Sequence, residues 1–506
     1  MSTVKVDNQL VNGPEDLIRI LERPSGNPDA EWGPEVELFL VAEDSLRPIS
    51  GDAHIAFVKG VRRILKQDAF ADIDISAEPP PHMLEFKMNP MRLDQSGAAF
   101  RTMADFQGEL AMLAKDQGIK ILPVGVINHI SDEDLIAYTT PAYDDDPEWG
   151  QRASLMMQAF KRHAWREAVP YPVKHACVQM NTSHSGPSDM LEDTLLKYTL
   201  LPFAVTMCES ALPFRYGEQK PYYNHMGMKD RYLLEYKALV SGLPFEAEDG
   251  YDYLLYLAER AYYETNMIFY CNEDGQTYTI IGEDEKAPTF SDLPRELQTM
   301  KNLVNAYNLW WNSVKHPIHP MADGSAATHN EGRDKDSGPS TIVDTFILEA
   351  IPANDYECRE AVMAVLRDAG YRLDEPRILK MQIKQDLDFL MQERHHFIRR
   401  GKRIADIPMA DTTYGALGAS LYEALKPYVV KYMGEEYLET FERKCKGETN
   451  AQWLFDNCRT HDEALQVMRD FNCAAYSEVY TNFAQLEDKG YLMAPRKDTN
   501  HKPEPK

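Results

Sequence analysis

The chain has 506 residues, a formal charge of −26, 43% hydrophobic residues and 26% charged residues. This acidity argues against nucleic acid or an anionic membrane as its main partner, because both are bound by net positive surfaces. Its seven cysteines are scattered without a CxxC pair, a pattern of reduced thiols in a cytoplasm rather than of disulfides or a zinc site. No run reaches the roughly 18 apolar residues of a membrane helix, and the opening MSTVKVDNQL has no apolar signal core. A cytoplasmic location is expected.

Residues 1–13 read as a loose leader and Glu15–Leu21 as a helix before a first strand, Val36–Val41. A helix over Ala53–Gln67, a strand entering the Pro79–Pro81 break and a strand Met83–Met88 follow. Residues 97–116 carry Phe100, Met103, Phe106, Leu110 and Leu113 at helical spacing. Gly118–Val126 reads as a strand, 150–167 as a helix beyond the acidic loop Asp144–Glu148, and His175–Asn181 as an alternating strand. Ser188–Phe214 is helical and aromatic-rich. Residues 317–341 are polar and Gly/Ser-rich and read as a long, mobile loop of the kind that serves as a lid. Thr345–Ala350 is expected as a late strand, Asp355–Ala369 as a helix, and 376–494 as a helical region with a break near Pro408–Gly418. Residues 495–506 are expected to be a disordered tail. The order predicts an α+β fold: a mainly antiparallel sheet in a catalytic domain over 1–375, with helices packed outside.

The chemistry is concentrated in two short segments. In Gly33-Pro34-Glu35-Val36-Glu37-Leu38, the acids alternate with apolar residues, so on a strand Glu35 and Glu37 project from one face. Such a pair repels itself unless something positive sits between. Glu78 and Glu85 flank Pro79-Pro80-Pro81-His82 and add two more carboxylates. Acids on neighbouring strands make a cage for Mg²⁺, or Mn²⁺, and oxygen-ligated Mg²⁺ is commonly shared with phosphate, which points to ATP. The alternative is a solvated edge strand blunted by charge.

These segments, with Cys177-Val178-Gln179-Met180-Asn181, Leu243-Pro244-Phe245, Asp249 with Tyr251, Tyr253 and Tyr256, and Phe346-Ile347-Leu348-Glu349, resemble the glutamate–cysteine ligase family in collinear order. That family comprises carboxylate–amine ligases with a glutamine-synthetase-like fold. The resemblance runs from about Gly33 to Ala350. It implies a sheet forming a metal and ATP cleft, with Glu35, Glu37, Glu78, Glu85, Gln179 and Glu349 as ligands of two or three Mg²⁺. It also implies Asn181 near the cofactor, and amide formation through an acyl phosphate, with glutamate as the acid and small molecules as substrates. Arg231 is the candidate partner of a substrate carboxylate; the alternative is an ion pair with Asp230 or Glu235.

The pattern departs from the family at three places. Ile351 stands where an Arg facing phosphate is common, a helical His is replaced within Leu309-Trp310-Trp311-Asn312, and the region around Arg231 is short. Arg333 and Lys335 are the nearest cations in sequence to replace the missing Arg. A non-catalytic relative that binds a nucleotide or a partner, and a small-molecule or guanidino kinase, are the competing functions. The basic stretch Arg394–Arg403 reads as a solvated helix end or a phosphate-facing patch. The histidines His129, His175, His184, His225, His316 and His319 have no zinc-like spacing, and Ser183-His184-Ser185 lacks the turn of a nucleophile.

Overall fold

Strand β1, Trp32–Ala42, is the spine of the molecule. The computed structural model describes residues 6–25, 31–76, 78, 80, 82–137, 158, 173–225, 247–281, 286–309, 313–321 and 326–493. Arg231, the acidic loop Asp144–Glu148, almost all of the 150–167 helix, the Trp310–Asn312 segment and the 495–506 tail lie outside these residues.

In chain order the strands are β1, β2 (Ile73–Ser76), β3 (Met83–Met88), β4 (Ile119–Ile121), β5 (Cys177–Thr182), β6 (Phe269–Cys271), β7 (Tyr278–Ile280), β8 (Val314–Lys315), β9 (Ile318–Pro320), β10 (Ala326–Thr328), β11 (Asn330–Asp336), β12 (Pro408–Met409) and β13 (Thr412–Thr413). The main sheet is antiparallel in the order β2-β3-β1-β5-β11-β8, and β4 pairs with the far end of β1. The pairs β6–β7, β9–β10 and β12–β13 stand apart from it. The α+β expectation holds: one open antiparallel sheet with helices.

Pairing explains the faces. Opposed residues of an antiparallel pair project to the same side. Val36 opposes both Phe86 and Val178, and Met180 opposes Gly332. This face meets the helices Ser96–Asp116 and Thr341–Asn354, where Phe106 lies 5.3 Å from Phe86 and Phe346 lies 4.5 Å from Trp32. Phe100, Met103, Phe106 and Leu110 form the buried stripe expected of the first of these helices. Pairing of β1 with β3 begins at Glu35, one residue past Pro34, whose ring nitrogen has no proton for a ladder.

Two expectations are corrected. Thr345–Ala350 is not a strand: Thr341–Asn354 is helical throughout, with a wider π turn over Phe346–Ala350. A short apolar run buried all round carries no period to separate strand from helix. Residues 317–341 are not a long loop: they hold β9, β10 and β11, and β11 is an inner strand of the sheet. Its sequence, NEGRDKD, reads as loop by polarity, yet six of its seven residues are buried.

The largest apolar core runs from Trp32 through Phe346 and Leu425 to Leu492, so helices beyond residue 376 share it. A second core joins the helix Glu15–Leu21 to the helices Gly250–Glu259 and Met300–Asn308. The break expected near Pro408–Gly418 is the β12–β13 hairpin. Among the described residues no helix is long and apolar enough to cross a membrane.

Candidate metal centre

The face of the sheet turned away from the packed helices carries a row of polar side chains. Glu37 opposes Glu85 on β3, Glu35 opposes Gln179 on β5, and Asn181 opposes Glu331 on β11, which in turn opposes Lys315 on β8. The period of two in Glu35-Val36-Glu37 therefore does what the sequence suggests. Carboxylate oxygens of Glu37, Glu78 and Glu85 lie within 4.8 Å of one another. Glu78 reaches them from the segment between β2 and β3.

Each acid is held. Glu37 accepts from the Cys177 backbone N–H at 2.8 Å and from the Gln179 side-chain N–H at 3.0 Å. The Cys177 thiol also donates to it, at 3.2 Å. The Asn181 side-chain N–H donates to Glu35 at 3.0 Å, and the Ser76 hydroxyl donates to Glu85. Cys177 and Ser76 were not among the sequence candidates; each sits on a neighbouring strand on the same face, a relation visible only with the register in hand.

Burial and mutual repulsion make Glu35, Glu37 and Glu78 reluctant to ionise. Desolvation, then Glu85 and Glu331, push Glu35 up to about 8. Desolvation and Glu85 push Glu37 to about 7. Desolvation, Glu85 and Glu37 hold Glu78 well above the ordinary carboxylate range, and a hydrogen bond between Glu78 and Glu85 adds to the effect. Adjacent carboxyls in this state share protons until a cation replaces them. Glu331 behaves oppositely: burial would raise it, but Arg333, then Lys315 and His329, bring it below its ordinary value. Arg333 meets Glu331 at 2.8 Å and also lowers Glu37 and Glu78. It is thus the arginine of the acidic face.

Lys335 and Glu349 are elsewhere. The β11 ladder shifts register between Gly332 and Lys335, so Lys335 opposes Val178 and turns to the helix face. There its ammonium meets Glu349 at 2.5 Å, both side chains being buried. Gly332 stands against the same carboxylate: a Cβ at this position would lie 2.2 Å from Glu349 Oε2. The structure therefore brings Glu35, Glu37, Glu78, Glu85, Gln179, Asn181 and Arg333 to one face and sets Glu349 and Lys335 on the other. Ile351, at the position of the absent family arginine, is fully buried in the helical core.

Three carboxylates beside a neutral amide oxygen are a hard-oxygen donor set, suited to a hard divalent cation such as Mg²⁺ or Mn²⁺ rather than to a soft metal. Among the described residues it is the one group of three or more acidic, histidine or cysteine side chains with ligand-like spacing. No protein-family model matches the chain, and no curated protein matches it significantly.

Proposed function

We propose that the chain is an ATP- and Mg²⁺-dependent carbon–nitrogen ligase that joins a carboxylate to an amine. The observation that carries this reading is the convergence of Glu37, Glu78 and Glu85 to within 4.8 Å, with burial and the neighbouring acids raising the pKa of Glu37 and Glu78. Ionised carboxylates crowded and buried in this way cost stability unless a cation pairs with them. The residues that would hold Mg²⁺ are Glu35, Glu37, Glu78 and Glu85, with the Gln179 amide oxygen; the ion would neutralise charge on the transferred phosphoryl group.

In the proposed reaction a substrate carboxylate oxygen attacks the γ-phosphorus of ATP and ADP leaves. The amine nitrogen then attacks the acyl carbon, phosphate leaves, and the nitrogen loses a proton. The resemblance described above supplies glutamate, through its γ-carboxylate, as the acid. No protein nucleophile is required; the chain positions two anions and reduces their repulsion. Arg333 supplies positive charge on the acidic face. Asn181 fixes Glu35, and Cys177 with Gln179 fix Glu37, so that their oxygens present one geometry. A mobile lid is not needed to bring Arg333 in, because it is part of β11.

The test is release of inorganic phosphate from ATP with Mg²⁺, glutamate and a panel of amines, with the product identified by mass spectrometry. Release that requires both acid and amine, abolished in Glu37→Gln and Glu85→Gln, supports the ligase. Absence of turnover across acids and amines, with MgATP still bound, would instead favour a non-catalytic nucleotide-binding relative. That second reading has its own observation: Lys335 is committed to Glu349 on the other face, so one fewer cation serves phosphate.

A further inference from the structure

The row of polar side chains does not stop at Glu331. Its last member, Lys315, is a wall of a separate cleft of about 640 Å³ between the β6–β7 hairpin, the helix Met300–Asn308 and β8–β9. A cavity of this size takes a ligand of drug-like dimensions, several times larger than a free amino acid.

Its lining is amphipathic. Phe269, Val304, Leu309 and Ile318 supply apolar wall, and Tyr278 adds an aromatic face. Lys301 and Lys315 bring positive charge against one acid, Asp7, whose carboxylate already accepts the Gln9 N–H at 2.9 Å. Lys315 is buried while His319 is exposed, so the cation sits in the wall and an imidazole at the rim. Asn305 also lines the cleft, and its side-chain NH₂ is buried with no acceptor among the described residues. A buried amide donor left unpaired is costly, and a ligand acceptor would remove that cost. Lys315 is also felt on the acidic face, where it favours the charged form of Glu331.

We propose that this cleft binds an amphipathic carboxylate, its apolar body against Phe269, Val304 and Ile318 and its carboxylate on Lys315 and the Asn305 amide. The occupant's naming as a substrate rests on the ligase reading; its chemistry does not. From β8 to β1 is three strand spacings, about 14 Å, so a ligand anchored here is extended and reaches the acids with its far end. The anchoring carboxylate is distinct from the group that reacts. A triphosphate is the poorer fit, since its phosphates need more cations than the cleft supplies and would face Asp7.

The experiment is titration calorimetry of the full chain, without nucleotide, with 4-phenylbutyrate, indole-3-butyrate and decanoate, each beside its neutral amide. At least one acid binds saturably at one site, its amide binds at least 10-fold more weakly, and Asn305→Phe, which fills the cleft, abolishes binding. Asn305→Ala, with no bulk added, weakens it several-fold, and a thermal melt verifies that both variants fold. Failure of all three acids, equal binding of acid and amide, or full binding by folded Asn305→Phe overturns the inference. Tight binding without any turnover in the phosphate assay leaves the cleft standing and removes the ligase. Wild-type turnover of free glutamate with small amines in Asn305→Phe leaves the ligase standing and removes the cleft as its substrate site.

Discussion

On the sheet face packed against helices, buried charges come in matched sets. Lys335 meets Glu349 at 2.5 Å, and Lys197 meets Asp193 at 3.0 Å, with Thr182 and Asn330 completing the second group. Deeper in the helical layer Lys444 pairs with Asp344, and Arg394 holds Glu209 with two N–H donors. On the opposite face Glu35, Glu37, Glu78 and Glu85 crowd together, and Arg333 is drawn mainly to Glu331. Buried carboxylates matched by cations are structural, because the pair is already neutral and can gain little from an added ion. Carboxylates in excess of their cations are unfinished, and a divalent ion is the simplest completion. Sequence position does not separate the two kinds; the balance of charge on each face does.

The comparison is broken most severely on the matched face. Lys335→Met leaves Glu349 buried without its cation and should cost roughly 3–5 kcal/mol, as removal of one member of a buried pair does. Urea unfolding reads the loss, and the double variant Lys335→Met with Glu349→Leu should recover most of it. A single-variant loss below about 1 kcal/mol would mean that the pair is not isolated from water.

Gly332→Ala tests the same pair by steric means. The new methyl would collide with the Glu349 carboxylate, and overpacking of this sort costs about 1–3 kcal/mol. The loss should largely vanish in a Glu349→Ala background, which unfolding of the double variant measures.

On the unmatched face the sign inverts. Glu37→Gln and Glu85→Gln delete a charge among like charges, so at pH 8 without divalent ions each should leave the melting temperature unchanged or raise it by a few degrees. The stabilisation that Mg²⁺ with nucleotide gives the wild type, by binding the folded state alone, should be mostly lost in both. A wild-type shift in both variants would place the cation elsewhere.

The same face also responds to pH. Glu35 and Glu37 are raised in the folded chain, to about 8 and about 7, so protonation favours folding. Their contribution is fully present below the ordinary glutamate range and is lost as pH rises through the folded values. Between pH 5 and 8, metal-free protein should lose stability, and excess Mg²⁺ or Mn²⁺ should flatten the decline. A profile indifferent to added cation over this window would count against the centre.

Much of the acidic face was legible because period-two alternation of acid and apolar residue survives in a single strand; Glu35, Glu37 and Glu85 needed only that. The rest depended on register. Arg333 and Lys335 look interchangeable in Glu331-Gly332-Arg333-Asp334-Lys335, since odd positions of a regular strand share a face. The register shift in β11 sends one to each side. Glu331 was missed because a polar segment reads as solvent-facing, and the cross-strand partners that permit its burial lie at Asn181 and Lys315. Glu349 was misassigned with its element: the run Phe346–Ala350 is apolar on every side, and a helix buries it as readily as a strand.

The strand order also bears on synthesis. The acids of β1 and β3 leave the ribosome within the first 85 residues, whereas β5 begins at Cys177 and β11 at Asn330. Glu35 and Glu37 thus wait through more than a quarter of the chain for Gln179 and Asn181 and through more than half of it for Arg333, and the loop closures that bring these strands together are long ones. A nascent chain arrested before β11 carries the crowded carboxylates without their arginine. The last inner strand to emerge is the one that completes the sheet, so docking of β11 is the step that brings Arg333 to the crowded carboxylates.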